Sequence, residues 1–153
     1  ESDGKRQDFA RFFGADHVVN FSRLDPALEI LKITHGKGAD SAIEAVGNEA
    51  SFAGCVAATR PGGTISNVGY HGHGDVVPIP RVEWGVGMAD KTIRTGLCPG
   101  GRERMERLLR LIQKKRIDPT PLTTHRFPFR DVERAFDMMR TKKDGILKPL
   151  ILF

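Results

Sequence analysis

Apolar residues recur along the chain with two alternating patterns. Helical spacing, with apolar residues three and four apart, is found at residues 5–13, 26–33, 48–58, 102–115 and 130–141. Short continuous apolar runs between them predict strands at residues 17–20, 39–46, 64–68, 92–98 and 147–153, with a further candidate strand at 122–127 and a short helical turn at 83–88. This alternation, with short glycine-rich connections, predicts an α/β fold with a doubly wound parallel sheet.

Three of the predicted strands end at or near a glycine. Gly47 follows the strand at 39–46, Gly69 follows the strand at 64–68 after a Pro-Gly-Gly turn, and Gly96 lies near the end of the strand at 92–98. In an open parallel sheet, ligands bind at the carboxyl ends of the strands, where a glycine lets the backbone approach a flat or charged ligand. Alternatively, each glycine simply begins the turn that follows its strand.

Composition narrows the class of protein. The 153 residues contain 24 Lys and Arg against 19 Asp and Glu, a net charge of +5, but acidic residues are interspersed, which argues against a nucleic-acid-binding stripe. Cys55 and Cys98 lie far apart, without the spacing of a zinc or redox motif, so we expect a reducing, cytoplasmic setting. The sequence contains neither a signal peptide nor an apolar run of roughly 18 residues, so no membrane partner is expected.

None of the five histidines has the spacing of metal ligands, so no metal site is predicted within the chain. His71 and His73 lie two residues apart and are predicted to be surface residues on an extended loop. The chain opens on Glu-Ser-Asp-Gly without an initiator methionine, as though a strand had just ended. We therefore expect a fragment of a longer protein.

Four stretches carry a resemblance over essentially the whole chain: GADSAIEAVGN, RPGGTISNVGYHG, TIRTGLCPGGRERME and DGILKPLILF. In these stretches the sequence resembles the medium-chain dehydrogenases of the zinc alcohol dehydrogenase family, and PRVEWGVGM at residues 80–88 is most similar to the bacterial secondary-alcohol branch. The resemblance implies that residues 1–120 are part of a nicotinamide-dinucleotide-binding domain. It also implies that residues 121–153 return to the catalytic domain of the parent protein.

The resemblance implies a function with a nicotinamide cofactor and zinc. The parent would transfer a hydride between NAD(H) and an alcohol–carbonyl pair, and would be a homo-oligomer, either a dimer or a tetramer. The catalytic zinc and the glycine-rich phosphate loop would lie in parts of the parent that are absent from this chain. No catalytic residue is therefore expected here, and the chain alone should be inactive. It should also bind NAD weakly or not at all, because the phosphate loop is the main anion site. The alternatives are a zinc-free, quinone-type reductase, which metal analysis of the parent would distinguish, and a non-catalytic dinucleotide-binding module.

The family pattern also assigns residues around the cofactor. Glu1 matches the acidic residue that binds both hydroxyls of the adenosine ribose, which favours NAD over NADP because a carboxylate repels a 2′-phosphate. The branch best known for using NADP has a small residue and a nearby arginine there, whereas this chain has Glu1 and Asp3. Arg6 matches a basic position against the same ribose, although a helix-surface arginine is an equal alternative.

The remaining positions follow the strand ends and the C-terminal segment. Val46 and Gly47 match the adenosine side of the cofactor, and Val68, Gly69 and Tyr70 match the nicotinamide side. Gly96 and Cys98 match positions whose backbone holds the carboxamide, and Lys148, with Lys142 as a second candidate, matches a residue that reaches the pyrophosphate. Trp84 and Leu97 are candidate walls of the substrate pocket, although a lone tryptophan is more often part of a core or an interface.

The family's strand order, 3-2-1-4-5-6, has a consequence for an isolated chain without the first strand. The run at 17–20 would have no neighbour, and the strand at 39–46 would expose an apolar edge. We expect such an edge to pair with another copy, to exchange elements with it, or to destabilise the chain. In a monomer, the strands at 39–46, 64–68 and 92–98 should form the main sheet.

Overall fold

The computed structural model describes residues 1–97 and 99–153. The chain divides into two compact units, Glu1–Cys98 and Pro99–Phe153, which are described separately below. Within the described residues, no helix combines the length and the apolar character that crossing a membrane requires.

Three capped helices belong to the first unit. They are α1 (Gly4–Phe12), α2 (Pro26–Ile33) and α3 (Glu49–Ala58). Each begins after a residue whose side-chain oxygen accepts a hydrogen bond from a backbone N–H of the first turn; these caps are Asp3, Asp25 and Asn48. Because such caps satisfy N–H groups that have no partner within the helix, they fix the helix starts, which agree closely with the sequence prediction.

A three-stranded parallel sheet organises the first unit. Its strands are β1 (Ala39–Glu44), β2 (Thr59–Asn67) and β3 (Thr92–Thr95), arranged in the order β1-β2-β3. The main sheet expected for a monomer is thus formed, with β1 and β3 shorter and β2 longer than predicted. Residue 98, the predicted end of the third strand, lies outside the described residues.

The predicted Pro-Gly-Gly turn is wrong, because residues 61–63 lie inside β2. Thr59 pairs with Ala39 and Thr64 with Ser41, so the extra residues between them form a bulge. A Cβ on Gly63 would overlap the Thr59 side chain. The bulge therefore needs a glycine at this point, and the strand continues through it.

The core of the first unit lies on one face of this sheet. Phe52 and Val56 of α3 pack with Ile65 of β2, and Cys55, Trp84 and Ile93 pack against this cluster. Burial of the Cys55 thiol raises its pKa, and the negative charge of Glu44 raises it further. The Cys55 side chain is thus a small packing group between helix and sheet.

The segment between β2 and β3 contains turns in place of the predicted helical turn at 83–88. Gly85 and Gly87 have positive φ angles of 72° and 83°, which a regular helix does not contain. Lys91 fixes the end of the segment, because its ammonium donates to the carbonyl oxygens of Val56 and Glu83, both at 2.7 Å. Burial lowers the pKa of Lys91, an effect that the negative charge of Glu83 partly opposes.

The predicted strand at residues 17–20 is not formed. A single extended run has no partner for its backbone N–H and C=O groups, and a strand needs such a partner. The backbone nitrogen of Glu1 donates to the carbonyl oxygen of Val19 at 3.0 Å. Val18 and Val19 are not paired with β1 in the described sheet.

The second unit contains two helices and a separate two-stranded parallel sheet. Its elements are α4 (Arg102–Gln113), β4 (Thr123–Pro128), α5 (Val132–Thr141) and β5 (Lys148–Leu152), with short 3₁₀ turns between them. Phe127, Ala135 and Ile146 form its core, against which Met138 and Ile151 pack. These helices and strands correspond to the predicted ones, with ends displaced by at most two residues.

Candidate functional site

The carboxyl ends of the three parallel strands lie in register at one edge of the sheet. Glu44 pairs with Asn67, and Asn67 pairs with Thr95, so the strands end level with one another. The segments that follow contain six of the predicted site residues: Val46, Gly47, Val68, Gly69, Tyr70 and Gly96. The tertiary structure therefore brings these segments to one edge, which is the ligand-binding edge of open parallel sheets.

Glu44 holds the first two strand ends together and was missed by the sequence prediction. The residue is 1% exposed, and its Oε1 accepts hydrogen bonds from the backbone N–H of Val46 and of Gly47, both at 2.8 Å. The hydroxyl of Ser51, on α3, donates to the same oxygen at 2.6 Å. The carbonyl oxygen of Glu44 accepts from Val68 and Gly69 at 2.8 and 3.1 Å.

The second carboxylate oxygen of Glu44, Oε2, differs from Oε1 in its contacts. Oε2 is buried, has no hydrogen bond within the described structure, and faces Nε2 of His71 at 3.5 Å. Burial alone would raise the pKa of the Glu44 carboxyl. Hydrogen bonds from Ser51, Gly47 and Val46, together with the charge of His71, outweigh that effect and lower the pKa below its ordinary value. Glu44 is therefore a buried carboxylate held in its charged form.

His71 is not the surface residue that the sequence predicted. Its side chain is largely buried, with its ring edge-on to Phe52 at a centroid distance of 6.0 Å and its Nε2 3.0 Å from Oδ1 of Asn67. The prediction failed because the chain turns after β2 and returns His71 to the end of β1. His73 is exposed, as predicted.

The tertiary structure explains Gly47 and Gly69 through contacts between the strand ends. A Cβ on Gly47, which has a φ of 86°, would overlap the backbone of Tyr70, and a Cβ on Gly69 would overlap Gly47 and Oε2 of Glu44. Each glycine is thus required because two backbone segments approach closely. Contact of these glycines with a ligand stays a prediction.

Apolar side chains next to these glycines face outward. Val46 is 70% exposed, Tyr70 87% and Leu97 94%, and Val68 and Gly96 are also exposed. Flat rings bind apolar surface of this kind, and glycine and backbone groups between the side chains allow close approach. Contact of a flat organic ligand with these side chains stays a prediction.

Two carboxylates lie at the start of α1. Oε1 of Glu1 accepts hydrogen bonds from the N–H groups of Ser2 and Asp3 at 2.8 and 3.1 Å, and Asp3 caps the helix through the N–H of Arg6. The pKa of Glu1 is lowered, chiefly by the hydrogen bond from Asp3. Glu1 and Asp3 thus give the start of α1 a negative charge, and Arg6 lies half-buried within the helix.

Of the other predicted residues that the structure describes, Leu97 follows Gly96 at this edge, and the rest belong to other segments of the chain. Trp84 packs against the core, whereas Leu97 is exposed, so their role as pocket walls stays a prediction. Lys148 is exposed at the start of β5, and Lys142 follows α5 in a left-handed conformation; both belong to the second unit. Cys98 lies outside the described residues.

The described residues contain no group of three or more His, Cys, Asp or Glu side chains that could hold a metal ion. His125, in the second unit, forms a pair with Asp144 at 3.2 Å and contacts Thr124 at 3.0 Å. These contacts join β4 to the turn before β5, which is a structural role.

The parallel sheet and its level edge define an open-sheet α/β protein, and comparison with known families identifies the family. The family described as zinc-binding dehydrogenase matches residues 1–114. The chain therefore belongs to the zinc-binding dehydrogenase family, which confirms the resemblance to zinc alcohol dehydrogenases.

Individual relatives agree with this assignment. The chain is 49% identical over 146 residues to an NADP-dependent isopropanol dehydrogenase of Thermoanaerobacter brockii, a match that covers 95% of this chain and 42% of the relative. It is 42% identical over 144 residues to a protein of the same description from Clostridium beijerinckii, with 94% of this chain and 41% of the relative covered. The chain thus spans less than half the length of these relatives.

A solved structure shows the same fold. The alcohol dehydrogenase TADH from Thermus sp. ATN1 superposes with a TM-score of 0.87 at 26% sequence identity, covering 100% of this chain and 42% of that protein. The α/β fold predicted from the sequence is therefore confirmed.

One sequence signal could have identified Glu44. It is a single carboxylate within an otherwise small and apolar run, SAIEAVG, immediately before the glycine that ends the segment. A charged residue at such a position is usually assigned to the solvent-exposed face of a strand. Only the turn after Asn67, which brings His71 and Gly69 onto Glu44, shows that it is buried.

Proposed function

We propose that this chain is part of an alcohol dehydrogenase that transfers a hydride between a nicotinamide cofactor and an alcohol–carbonyl pair. The observation that supports this most strongly is the level edge formed by the ends of β1, β2 and β3. It presents exposed apolar side chains beside closely packed glycines, in a member of the zinc-binding dehydrogenase family. The bound cofactor supplies the hydride acceptor and donor.

The residues at this edge would bind and orient the cofactor. Val46 and Gly47 would lie beside its adenosine half, and Val68, Gly69 and Tyr70 would lie beside the nicotinamide. The backbone of Gly96 would hold the carboxamide of the nicotinamide. Rigid strand ends suit this role because orientation of the ring is the protein's main contribution to hydride transfer.

We infer that the cofactor is NAD rather than NADP. The relatives from Thermoanaerobacter brockii and Clostridium beijerinckii are NADP-dependent isopropanol dehydrogenases, which is an argument against this choice. The supporting observation is the pair of carboxylates at the start of α1, Glu1 and Asp3, of which Glu1 has a lowered pKa and is therefore charged at neutral pH. A carboxylate accepts hydrogen bonds from ribose hydroxyls, and its charge repels a 2′-phosphate.

The substrate would be a secondary alcohol or the corresponding ketone. This proposal rests on the isopropanol named for the relatives from Thermoanaerobacter brockii and Clostridium beijerinckii. The exposed Leu97 and the partly buried Trp84 are the residues of this chain that we propose as pocket walls.

The described residues do not fit a zinc site, because they bring no suitable group of ligands together. We therefore propose that zinc is bound by another part of a longer enzyme, and we assign no step of the reaction to it. Residues 121–153 would belong to the catalytic domain of that enzyme. Their strands β4 and β5 form a sheet separate from the first, which supports a different domain.

The first test is kinetic. The longer enzyme should oxidise 2-propanol with NAD at a higher kcat/KM than with NADP, and the 153-residue chain alone should show no turnover. In the longer enzyme, Glu1→Ala should lower kcat/KM for NAD by about tenfold, the value of one charge-assisted hydrogen bond, and raise the relative use of NADP. Glu49→Ala, which removes an exposed carboxylate from α3, is the matched control.

The outcomes separate the parts of the proposal. A preference for NADP in the unmodified enzyme would contradict the role of Glu1 and leave the reaction intact. Absence of turnover with both cofactors and with a range of secondary alcohols would contradict the function itself.

A further inference from the structure

One residue, Glu44, links the ends of β1 and β2 through hydrogen bonds additional to those between the paired strands. Glu44 accepts three hydrogen bonds through Oε1 and two through its main-chain carbonyl oxygen. The donors come from three places: the chain after β1, the first turn of α3, and the chain after β2. The side chain is almost fully buried, although the charge of an isolated carboxylate is costly to bury. The three hydrogen bonds to Oε1 offset that cost.

A second link between the strand ends involves Oε2 of Glu44, which has no hydrogen bond within the described structure. Asn67 Nδ2 donates to the carbonyl oxygen of Gly69 at 3.0 Å, which orients the amide so that Oδ1 faces His71. Because Oδ1 can only accept, the Nε2 of His71 must carry a proton and donate it at 3.0 Å. Glu44 Oε2 lies 3.5 Å from the same Nε2, so the protonated side of the ring faces the carboxylate.

We propose that Glu44 is a positioning residue which, through His71 and Asn67, sets the path of the chain from Gly69 to His71 at the carboxyl end of β2. We call Glu44, Asn67 and His71 the strand-end clasp. The inference rests on the proposed function in one respect: this segment and Val46–Gly47 would border the two halves of the cofactor. The clasp would therefore hold both halves of the binding edge at a fixed spacing.

Substitution of Glu44 and substitution of His71 should have different effects on the binding edge. Glu44→Gln weakens the hydrogen bonds to Val46 and Gly47 as well as the contact with His71, so both halves of the edge should loosen. His71→Asn removes only the link to the segment after β2. Glu49→Gln and His73→Asn are matched controls, because both replace exposed residues near the same elements.

The structural test uses amide hydrogen exchange on the 153-residue chain. In Glu44→Gln, the amides of Val46 and Gly47 should exchange at least about tenfold faster, because hydrogen bonds to a charged acceptor become bonds to a neutral one. In His71→Asn, faster exchange should be confined to residues 69–71. Unchanged exchange at these positions in both variants, relative to the controls, would overturn the clasp.

The kinetic test uses the longer enzyme. Glu44→Gln should raise KM for NAD and lower kcat, each several-fold. His71→Asn should lower kcat with less than about a twofold change in KM for NAD, because a small misplacement of the nicotinamide side affects the reacting geometry. Changed exchange with unchanged kinetics would confirm the clasp as a structural link and overturn its role at the cofactor. A substitution that only destabilised the fold would lower the yield of active enzyme. It would not produce these different changes in KM and kcat.

Discussion

Gly69 lies directly against the buried carboxylate of Glu44, so that a Cβ at position 69 would overlap Oε2 of that side chain and the backbone of Gly47. The glycine is required because the end of β2 and the end of β1 approach each other at this point. The requirement exists whether or not a ligand binds at the edge. It explains why the sequence pattern of glycine at successive strand ends is informative about packing as well as about binding.

Gly69→Ala should destabilise the first unit by about 2 kcal/mol or more, because neither the Glu44 carboxylate nor the Gly47 backbone can move without breaking hydrogen bonds. Urea unfolding followed by circular dichroism would measure this change. Gly96→Ala is the control, since a Cβ at Gly96 meets open space. Equal stability of the two variants would show that the strand ends can separate without cost.

Stability should fall in acid because of Glu44. The pKa of its carboxyl is lowered in the folded chain, whereas in the unfolded chain it is near 4.5. The charged form therefore stabilises the fold at pH values above 4.5, and this contribution is lost as the pH falls below 4.5 and through the folded-state pKa.

Urea unfolding at several pH values between about 6 and 3 would measure the dependence. Glu44→Gln should be less stable at neutral pH and should lose less stability on acidification than the unmodified chain. Glu49→Gln controls for the loss of one negative charge. A parallel pH dependence in the unmodified chain and in Glu44→Gln would contradict the assignment.

The free edge of β1 should cause self-association of the 153-residue chain. β1 lies at one edge of the described three-stranded sheet, and Ile43 in this strand is 70% exposed. An unpaired, apolar edge strand is a template for pairing with another chain.

Size-exclusion chromatography with light scattering over a range of concentrations would detect dimers or larger species. Ile43→Lys should shift the equilibrium towards monomer, because a lysine on an edge strand opposes pairing. Ile79→Lys, in the loop before β3, is the control. A chain that stays monomeric at every concentration without substitution would refute the prediction.

The sequence alone determined most of the regular elements of this protein, because their signals are local. Asp25 before Pro26, and Asn48 before α3, mark helix starts through hydrogen bonds that span only two or three residues. The alternation of helix and strand likewise predicted a parallel sheet, and the glycines after β1 and β2 predicted a crowded edge.

Only the tertiary structure determined which side chains meet and become buried at that edge. Glu44 and His71 are 27 residues apart in the chain, and each is an ordinary polar residue in its local sequence. They meet because two parallel strands end level and the chain after β2 turns back, which buries a carboxylate that local patterning assigns to solvent. Pairing also decided the strands themselves. The Pro-Gly-Gly segment forms a bulge within β2, between the pairs Thr59–Ala39 and Thr64–Ser41, and residues 17–20 form no strand because no described strand pairs with them.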